Sequence, residues 1–83
     1  MNALVGDIGN TITKVCLIEI KTFKIKKIIY LDSSKISSSN YLKNELKKII
    51  KSKFINKVAL FSCVVPRYQF FFSKVLYNHI KLN

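Results

Sequence analysis

The fold is decided by residues 3–20, which read ALVGDIGNTITKVCLIEI. A short apolar run ends at Asp7-Ile8, and Gly9-Asn10 separates it from Thr11–Ile20, where the side chains alternate between two largely apolar faces. Gly-Asn between two such segments is typical of a β-hairpin, because glycine supplies the positive φ that a tight turn requires. We therefore predict two antiparallel strands, with the second strand covered on both of its faces.

A third strand and a serine-rich loop follow this hairpin. The alternation in Phe23–Leu31 predicts a strand with one exposed, lysine-bearing side, and lysines of this kind suit the edge of a sheet. Its apolar side is predicted to consist of Phe23, Ile25, Ile29 and Leu31. The five serines of Asp32–Asn40 predict a loop that ends in a helix cap at Ser38 or Ser39.

The second half of the chain changes its period. From Tyr41 to about Lys53, apolar residues recur every three or four positions, which predicts an amphipathic helix with Leu42, Leu46, Ile49, Ile50 and Phe54 on one stripe. Lys57–Val65 is almost continuously apolar and predicts a fully buried strand that Pro66 ends. A second helix is predicted from about Tyr68 to Ile80.

The predicted order is therefore β-β-β-α-β-α, an α/β fold. Three strands joined by short turns form an antiparallel meander, and a fourth strand reached through a helix lies parallel to the first by a right-handed crossover. This arrangement is the opening portion of a ribonuclease-H-like sheet. We expect it to be incomplete, because the apolar fourth strand would be left at an open edge.

Length and composition limit the classes of function. Eighty-three residues with 49% hydrophobic content allow one modest core and exclude a disordered or collagen-like segment. Fifteen basic residues against four acidic ones give a net charge of +11, which would attract nucleic acid or an anionic surface. Only Arg67 is arginine, however, and the abundance of Lys, Ile and Asn fits A/T-rich codons, so charge alone does not favour a nucleic-acid partner.

The two cysteines, Cys16 and Cys63, lie in apolar segments without a CxxC or Cys/His pattern, which argues against zinc and for reduced thiols. The N-terminus has no basic start followed by an apolar core, and Val58–Val65 is too short to span a bilayer. We therefore expect a cytoplasmic protein with no membrane partner.

The strongest functional motif is the stretch Asp7–Lys14. A carboxylate at the end of the first strand, Asp7, can hold Mg²⁺ directly or through water. Gly9 lets the backbone approach a phosphate closely, and the N–H groups of residues 9–11 can point at one anion. Thr11 and Thr13 add hydroxyl donors and Lys14 adds a positive charge. The pattern indicates metal–nucleotide binding, although an ordinary Gly-Asn hairpin with an exposed Asp has the same spacing.

These residues resemble a known family. Asp7-x-Gly9-Asn10-Thr11-x-x-Lys14 at the start of the chain looks like the first phosphate motif of type III pantothenate kinases, whose relatives include the Bvg accessory factors. Ser62-Cys63-Val64-Val65-Pro66 resembles the Ser-x-Val-Val-Pro segment of that family, and the two motifs together extend the resemblance over essentially all 83 residues. Asp-x-Gly-x-Thr alone is shared by the wider actin, Hsp70 and sugar-kinase superfamily.

The resemblance implies ATP-dependent phosphorylation of pantothenate, the first step of coenzyme A synthesis, by a cytoplasmic homodimer that uses Mg²⁺ and a monovalent cation, K⁺ or NH₄⁺. It implies that residues 1–83 are the N-terminal portion of an actin-like ATPase domain. The ATP phosphate loop that it implies consists of Asp7, Ile8, Gly9, Asn10, Thr11, Ile12, Thr13 and Lys14.

The chain also departs from the family. The Gly-x-Asp-Arg segment that carries the catalytic aspartate is missing, because Gly occurs only at positions 6 and 9 and Arg only at position 67. The second actin-like domain is missing as well, so no catalytic residue is assigned and we expect the chain to be inactive alone. Two alternatives stay open: a small basic nucleic-acid-binding module with a vestigial kinase resemblance, and a short subunit completed by a separately encoded second half.

The remaining polar and aromatic candidates have structural interpretations. His79 is expected to be a packed or rim residue of the last helix, and Tyr68 with Phe70–Phe72 is expected to be core rather than a base-stacking surface. Lys24, Lys26 and Tyr30 are expected to form a solvated edge.

Overall fold

The computed structural model describes residues 2–50 and 59–77. Its elements are β1 (Asn2–Ile8), β2 (Ile12–Glu19), β3 (Ile25–Asp32), a 3₁₀ turn (Ser33–Lys35), α1 (Ser39–Ile49), β4 (Leu60–Cys63) and α2 (Pro66–Val75). The sheet order is β3-β2-β1-β4. β1 and β3 pair antiparallel to β2, and β4 pairs parallel to β1. The predicted α/β fold and its β-β-β-α-β-α order are confirmed, and the mixed sheet is consistent with part of an actin-like ATPase half domain.

Both helices pack on one face of the sheet. The buried residues of α1 and α2 form a single hydrophobic cluster with strand residues that share one parity, namely Leu4, Ile8, Val15, Leu17 and Leu31. On the opposite face of the described sheet, Ile12 and Leu60 are 53% and 68% exposed, and Cys16 is buried. We call this opposite side the open face. The prediction that β2 is covered on both faces is therefore wrong at Ile12 and correct at Cys16, and both helices use the same side.

β4 differs from its prediction for the same reason. It is shorter than expected, and its exposure alternates instead of being uniformly low. Phe61 and Cys63 pack against the core, whereas Leu60 and Ser62 lie on the open face. Lys57 and Val58, the predicted start of the strand, lie outside the described residues. The continuous apolar sequence was consistent with burial on two faces, but helices cover only one.

The hairpin turn is also built differently from its prediction. Gly9 does not have a positive φ; Phe23, in the turn between β2 and β3, has the positive value of 57°. Gly9 is needed for another reason, because a Cβ at this position would lie 2.6 Å from the carbonyl oxygen of Ile12. The Gly9 N–H donates to that same oxygen at 3.2 Å. Close backbone approach, rather than a left-handed conformation, therefore requires glycine here.

A register shift changes which face β3 presents. An irregularity at Leu17/Ile18 places Ile25 opposite Ile18, while Lys27 pairs with Leu17. The extra residue in β3 moves Ile25 to the open side, where it is largely exposed together with Phe23. The predicted apolar side of β3 is thus correct for Ile29 and Leu31 and wrong for Phe23 and Ile25. The expected edge position of β3 is confirmed.

The helix boundaries follow from capping. Ser38 caps α1 by accepting a hydrogen bond from Tyr41 N at 3.3 Å, as predicted. The helix ends at Ile49, before the predicted Lys53, since Ile50 is already non-helical. α2 begins at Pro66 rather than Tyr68, because proline has the φ of a first helical turn and an N–H that the turn does not need. Phe54, His79 and Ile80 lie outside the described residues.

The aromatic residues of α2 mostly pack as predicted. Tyr68 and Phe72 are buried and Phe71 is partly buried, which confirms the core interpretation for them. Phe70 is 63% exposed, so the core prediction is wrong for this residue. The centroid of the Phe72 ring lies 4.7 Å from that of the Phe61 ring of β4. Gly6 of β1 allows this packing, because a Cβ there would overlap the Phe61 ring and the Lys14 carbonyl.

Candidate phosphate-binding site

The turn between β1 and β2 lies where β1, β4 and the end of β3 meet. Asn10 and Thr11 are exposed at its tip, whereas Ile8 immediately before it is buried in the core. The turn is closed by the hydrogen bond from Gly9 N to the Ile12 carbonyl. That bond occupies the Gly9 N–H, so it is not available to an anion in this conformation. Asn10 and Thr11 thus provide the exposed backbone of the predicted phosphate loop.

Two buried hydroxyls, those of Ser33 and Thr13, support this turn from the core side. Ser33 Oγ donates to the Gly9 carbonyl at 2.7 Å, and its backbone N–H donates to the Thr11 carbonyl at 3.0 Å. Thr13 Oγ1 lies 2.8 Å from Ser33 Oγ. A serine hydroxyl has one proton, and that proton is already donated to Gly9, so Thr13 must be the donor to Ser33. We call this chain from Thr13 through Ser33 to Gly9 the hydroxyl relay.

The hydroxyl relay gives Thr13 a structural position. Its side chain and that of Ser33 are both 0% exposed, and each hydroxyl has its partner within the relay. Thr13 therefore faces the helices, on the side of the sheet opposite Asp7 and Lys14. Of the eight predicted loop residues, the structure presents Asp7, Asn10, Thr11, Ile12 and Lys14 to solvent and buries Ile8 and Thr13.

Asp7 lies on the open face at the end of β1. It is exposed, and strand pairing places it between Lys14 of β2 and Ser62 of β4. The Ser62 hydroxyl donates to Asp7 Oδ1 at 2.7 Å. Lys14 is opposite Asp7 in the antiparallel register and points to the same side of the sheet. The site thus combines a carboxylate, a lysine and a hydroxyl beside an exposed turn.

The donor set fits a hydrated Mg²⁺ that is shared with a nucleotide. Within residues 2–50 and 59–77, no group of three His, Cys, Asp or Glu side chains comes together as a metal site. Mg²⁺ usually keeps several waters and is bound through one or two carboxylates together with substrate phosphates. An exposed Asp7 next to a turn is sufficient for that mode and insufficient for a cage made of protein ligands alone.

Asp32, the second aspartate, has a different role. Its carboxylate accepts hydrogen bonds from the Ser34 hydroxyl at 2.6 Å and the Ser34 N–H at 3.0 Å, and so caps the 3₁₀ turn. These bonds, the side-chain one first, hold the pKa of Asp32 below its ordinary value of 3.8. Its own N–H donates to the Tyr41 hydroxyl at 3.0 Å, which ties the end of β3 to α1. Asp32 therefore orders the segment that positions Ser33.

Sequence reasoning missed Ser33 and Ser62 as contributors to this site. Ser33 was one of five loop serines, and no spacing distinguishes it from the other four. Ser62 is the only polar residue in the apolar stretch 58–65 and the first residue of the Ser-x-Val-Val-Pro segment, but neither signal links it to Asp7. Its partner lies 55 positions away in the chain. Only parallel strand pairing brings the two together.

Comparison with known proteins gives one informative relative. No protein-family model matches the chain, and no solved structure matches it. No helix in the described part of the chain has both the length and the apolar character needed to cross a membrane. Over 76 residues the chain is 46% identical to a protein named type III pantothenate kinase from Pelagibacter ubique (strain HTCC1062).

That alignment covers 87% of this chain and 30% of the relative, so the chain spans less than a third of that protein's length. The resemblance seen in the two motifs is confirmed by this identity, which extends well beyond them. The chain is homologous to an N-terminal portion of a type III pantothenate kinase.

Proposed function

We propose that this chain supplies the ATP phosphate loop of a pantothenate kinase, as the N-terminal portion of its first actin-like domain. The observation that carries the proposal is the position of Asp7. It is exposed beside Lys14, and it adjoins a turn in which the Gly9 backbone lies close to the Ile12 carbonyl. In this proposal the N–H groups of Asn10 and Thr11 and the Thr11 hydroxyl contact phosphate oxygens, Lys14 offsets their charge, and Asp7 binds Mg²⁺ directly or through water.

The hydroxyl relay supports the same proposal. Phosphoryl transfer depends mainly on positioning and on stabilising charge, so a phosphate loop must hold its shape before the nucleotide arrives. The relay holds the Gly9 carbonyl and the Ser33 N–H holds the Thr11 carbonyl, both from the core side, which leaves the outer side of the turn to a ligand. Mg²⁺, when bound, supplies neutralisation of phosphate charge.

The proposed reaction of the intact enzyme is the transfer of phosphate from ATP to the hydroxyl of pantothenate, in the cytoplasm, with a monovalent cation and as a homodimer. This chain contains no Gly-x-Asp-Arg segment. We therefore expect nucleotide binding without pantothenate phosphorylation from these 83 residues alone. The alternative of a basic nucleic-acid-binding module is supported by the net charge of +11 and accounts for neither the hydroxyl relay nor the 46% identity.

Substituting the two aspartates one at a time distinguishes the proposed metal-binding role of Asp7 from the structural role of Asp32. Binding of Mn²⁺·ATP to the 83-residue chain is measured by water-proton relaxation, with Mn²⁺ as a paramagnetic stand-in for Mg²⁺. We expect Asp7→Asn to weaken binding by at least about 10-fold, because a metal-ligand carboxylate is lost. Asp32→Asn is the matched control, since the Asn side-chain oxygen still accepts from Ser34 and so keeps the segment that positions Ser33, and the residue lies outside the proposed loop.

Equal binding by wild type and Asp7→Asn, or loss of binding in Asp32→Asn alone, would contradict the proposed site. No detectable binding by the wild-type chain would contradict the proposal that these residues hold the phosphates by themselves.

A further inference from the structure

The contact between β1 and β4 at the open face includes a hydroxyl that touches Asp7. Asp7 and Ser62 are direct Cα partners in the parallel register, so their side chains leave the sheet on the same side. The Ser62 hydroxyl donates to Asp7 Oδ1 at 2.7 Å. Hydrogen bonds from a hydroxyl to a carboxylate are short and are stronger than those between neutral groups.

The location of this hydrogen bond does not suit a purely structural role. Both residues are exposed and lie outside the hydrophobic cluster, on the face that the two helices leave uncovered. A solvated hydrogen bond adds little to folding, because water replaces either partner at small cost. Ser62 is also the only polar residue in the stretch 58–65, whose other members are Val, Ala, Leu, Phe and Cys.

The bond has a clear geometric consequence for Asp7. An exposed aspartate on a strand ordinarily samples several χ1 rotamers. A donor on the neighbouring strand selects the rotamer that brings Oδ1 to the serine, and it leaves Oδ2 as the carboxylate oxygen available to a ligand. Partners that hydrogen-bond a metal-ligating carboxylate orient it in this way in other proteins.

We infer that Ser62 is a positioning residue for Asp7, which holds the carboxylate in the rotamer that binds a hydrated divalent cation together with nucleotide phosphates. This inference rests on the proposed function, in which Asp7 is the metal ligand. Ser62 itself touches neither metal nor phosphate. Its effect is to reduce the conformational freedom that Asp7 would otherwise lose on binding.

The first test measures the χ1 angle of Asp7, and the wild-type chain alone can already decide against the inference. Three-bond couplings from the backbone ¹⁵N and ¹³C′ nuclei to Asp7 Cγ report its χ1 angle in the isotope-labelled 83-residue chain. We expect values of a single rotamer in the wild type and in Ser62→Thr, and averaged values in Ser62→Ala. Averaged couplings in the wild type would overturn the inference even if every variant failed to fold.

The second test is the affinity for Mn²⁺·ATP, measured by water-proton relaxation. We expect Ser62→Ala to weaken binding by about 10-fold, as for loss of other groups that orient a metal ligand, and Ser62→Thr to restore it because the hydroxyl is retained. Ser73→Ala, which removes a hydroxyl from the exposed side of α2, is the matched control.

Different outcomes would overturn the role of Ser62 and the metal site at Asp7. If Asp7→Asn abolishes binding and Ser62→Ala binds as tightly as wild type, the positioning role is overturned and the proposed metal site stands. If Asp7→Asn leaves binding unchanged, the proposed site is overturned, and the role of Ser62 with it.

Discussion

The hydroxyl relay predicts that Thr13→Val has opposite effects on the free energy of unfolding in the wild type and in a Ser33→Ala background. Ser33→Ala removes the acceptor of Thr13 and the donor to Gly9 in one step. Thr13 Oγ1 is then stranded in a position that is 0% exposed, and an unsatisfied buried hydroxyl costs about 1–3 kcal/mol. The Gly9 carbonyl, in a partly exposed residue, can bond water instead. We therefore expect Ser33→Ala to lower the free energy of unfolding by about 2 kcal/mol.

Thr13→Val is the second single substitution of a double-mutant cycle with Ser33→Ala. It replaces the donor hydroxyl with a methyl group of similar shape, and Ser33 keeps its bond to Gly9, so the expected loss is about 1 kcal/mol. In the Ser33→Ala background the same substitution removes the stranded hydroxyl, and replacing both partners by apolar groups is close to neutral. Thr13→Val is thus expected to destabilise the wild type and to stabilise Ser33→Ala.

Urea unfolding followed by far-ultraviolet circular dichroism at constant pH measures all four chains, and thermal melts provide a check. For a domain of this size a 2 kcal/mol loss corresponds to a fall of roughly 8–16 °C in Tm. The coupling free energy between the two substitutions tests the relay, because the effects of each substitution alone cancel in it. Additive losses, with Thr13→Val destabilising in both backgrounds, would refute the relay.

Two further predictions concern the same end of the sheet. Gly9→Ala brings a Cβ within 2.6 Å of the Ile12 carbonyl and should destabilise the chain by roughly 1–3 kcal/mol through overpacking; a Tm equal to that of the exposed-site control Asn10→Ala would contradict it. The carboxyl of Asp32 should have a pKa below the ordinary value of 3.8 in an NMR titration of its carboxyl carbon. Because its folded pKa is depressed, its contribution to stability is complete above that value and is lost as the pH falls through the folded pKa. Ser34→Ala should move the Asp32 pKa towards 3.8, and no movement would refute the assigned cause.

The element order could be predicted because it depends on local signals. Apolar alternation, the serine cap at Ser38 and the change of period after Tyr41 are each readable within a few residues, and each agrees with the structure. The errors occurred where a distant element decides the outcome. Ile25 lies on the open side because an extra residue in β3 shifts its register against β2, and β4 is half exposed because both helices cover the other face.

The strand and helix order and the position of the Asp7–Lys14 motif follow from residue type and spacing along the chain, and the homology with pantothenate kinases follows from sequence identity. Which members of that motif face solvent depends on tertiary packing. Tertiary packing buries Thr13 against Ser33 and brings Ser62 beside Asp7. These pairs lie 20 and 55 residues apart, and hydrogen bonds reach only about 3 Å. Contacts of that range exist only after strand pairing has fixed the register.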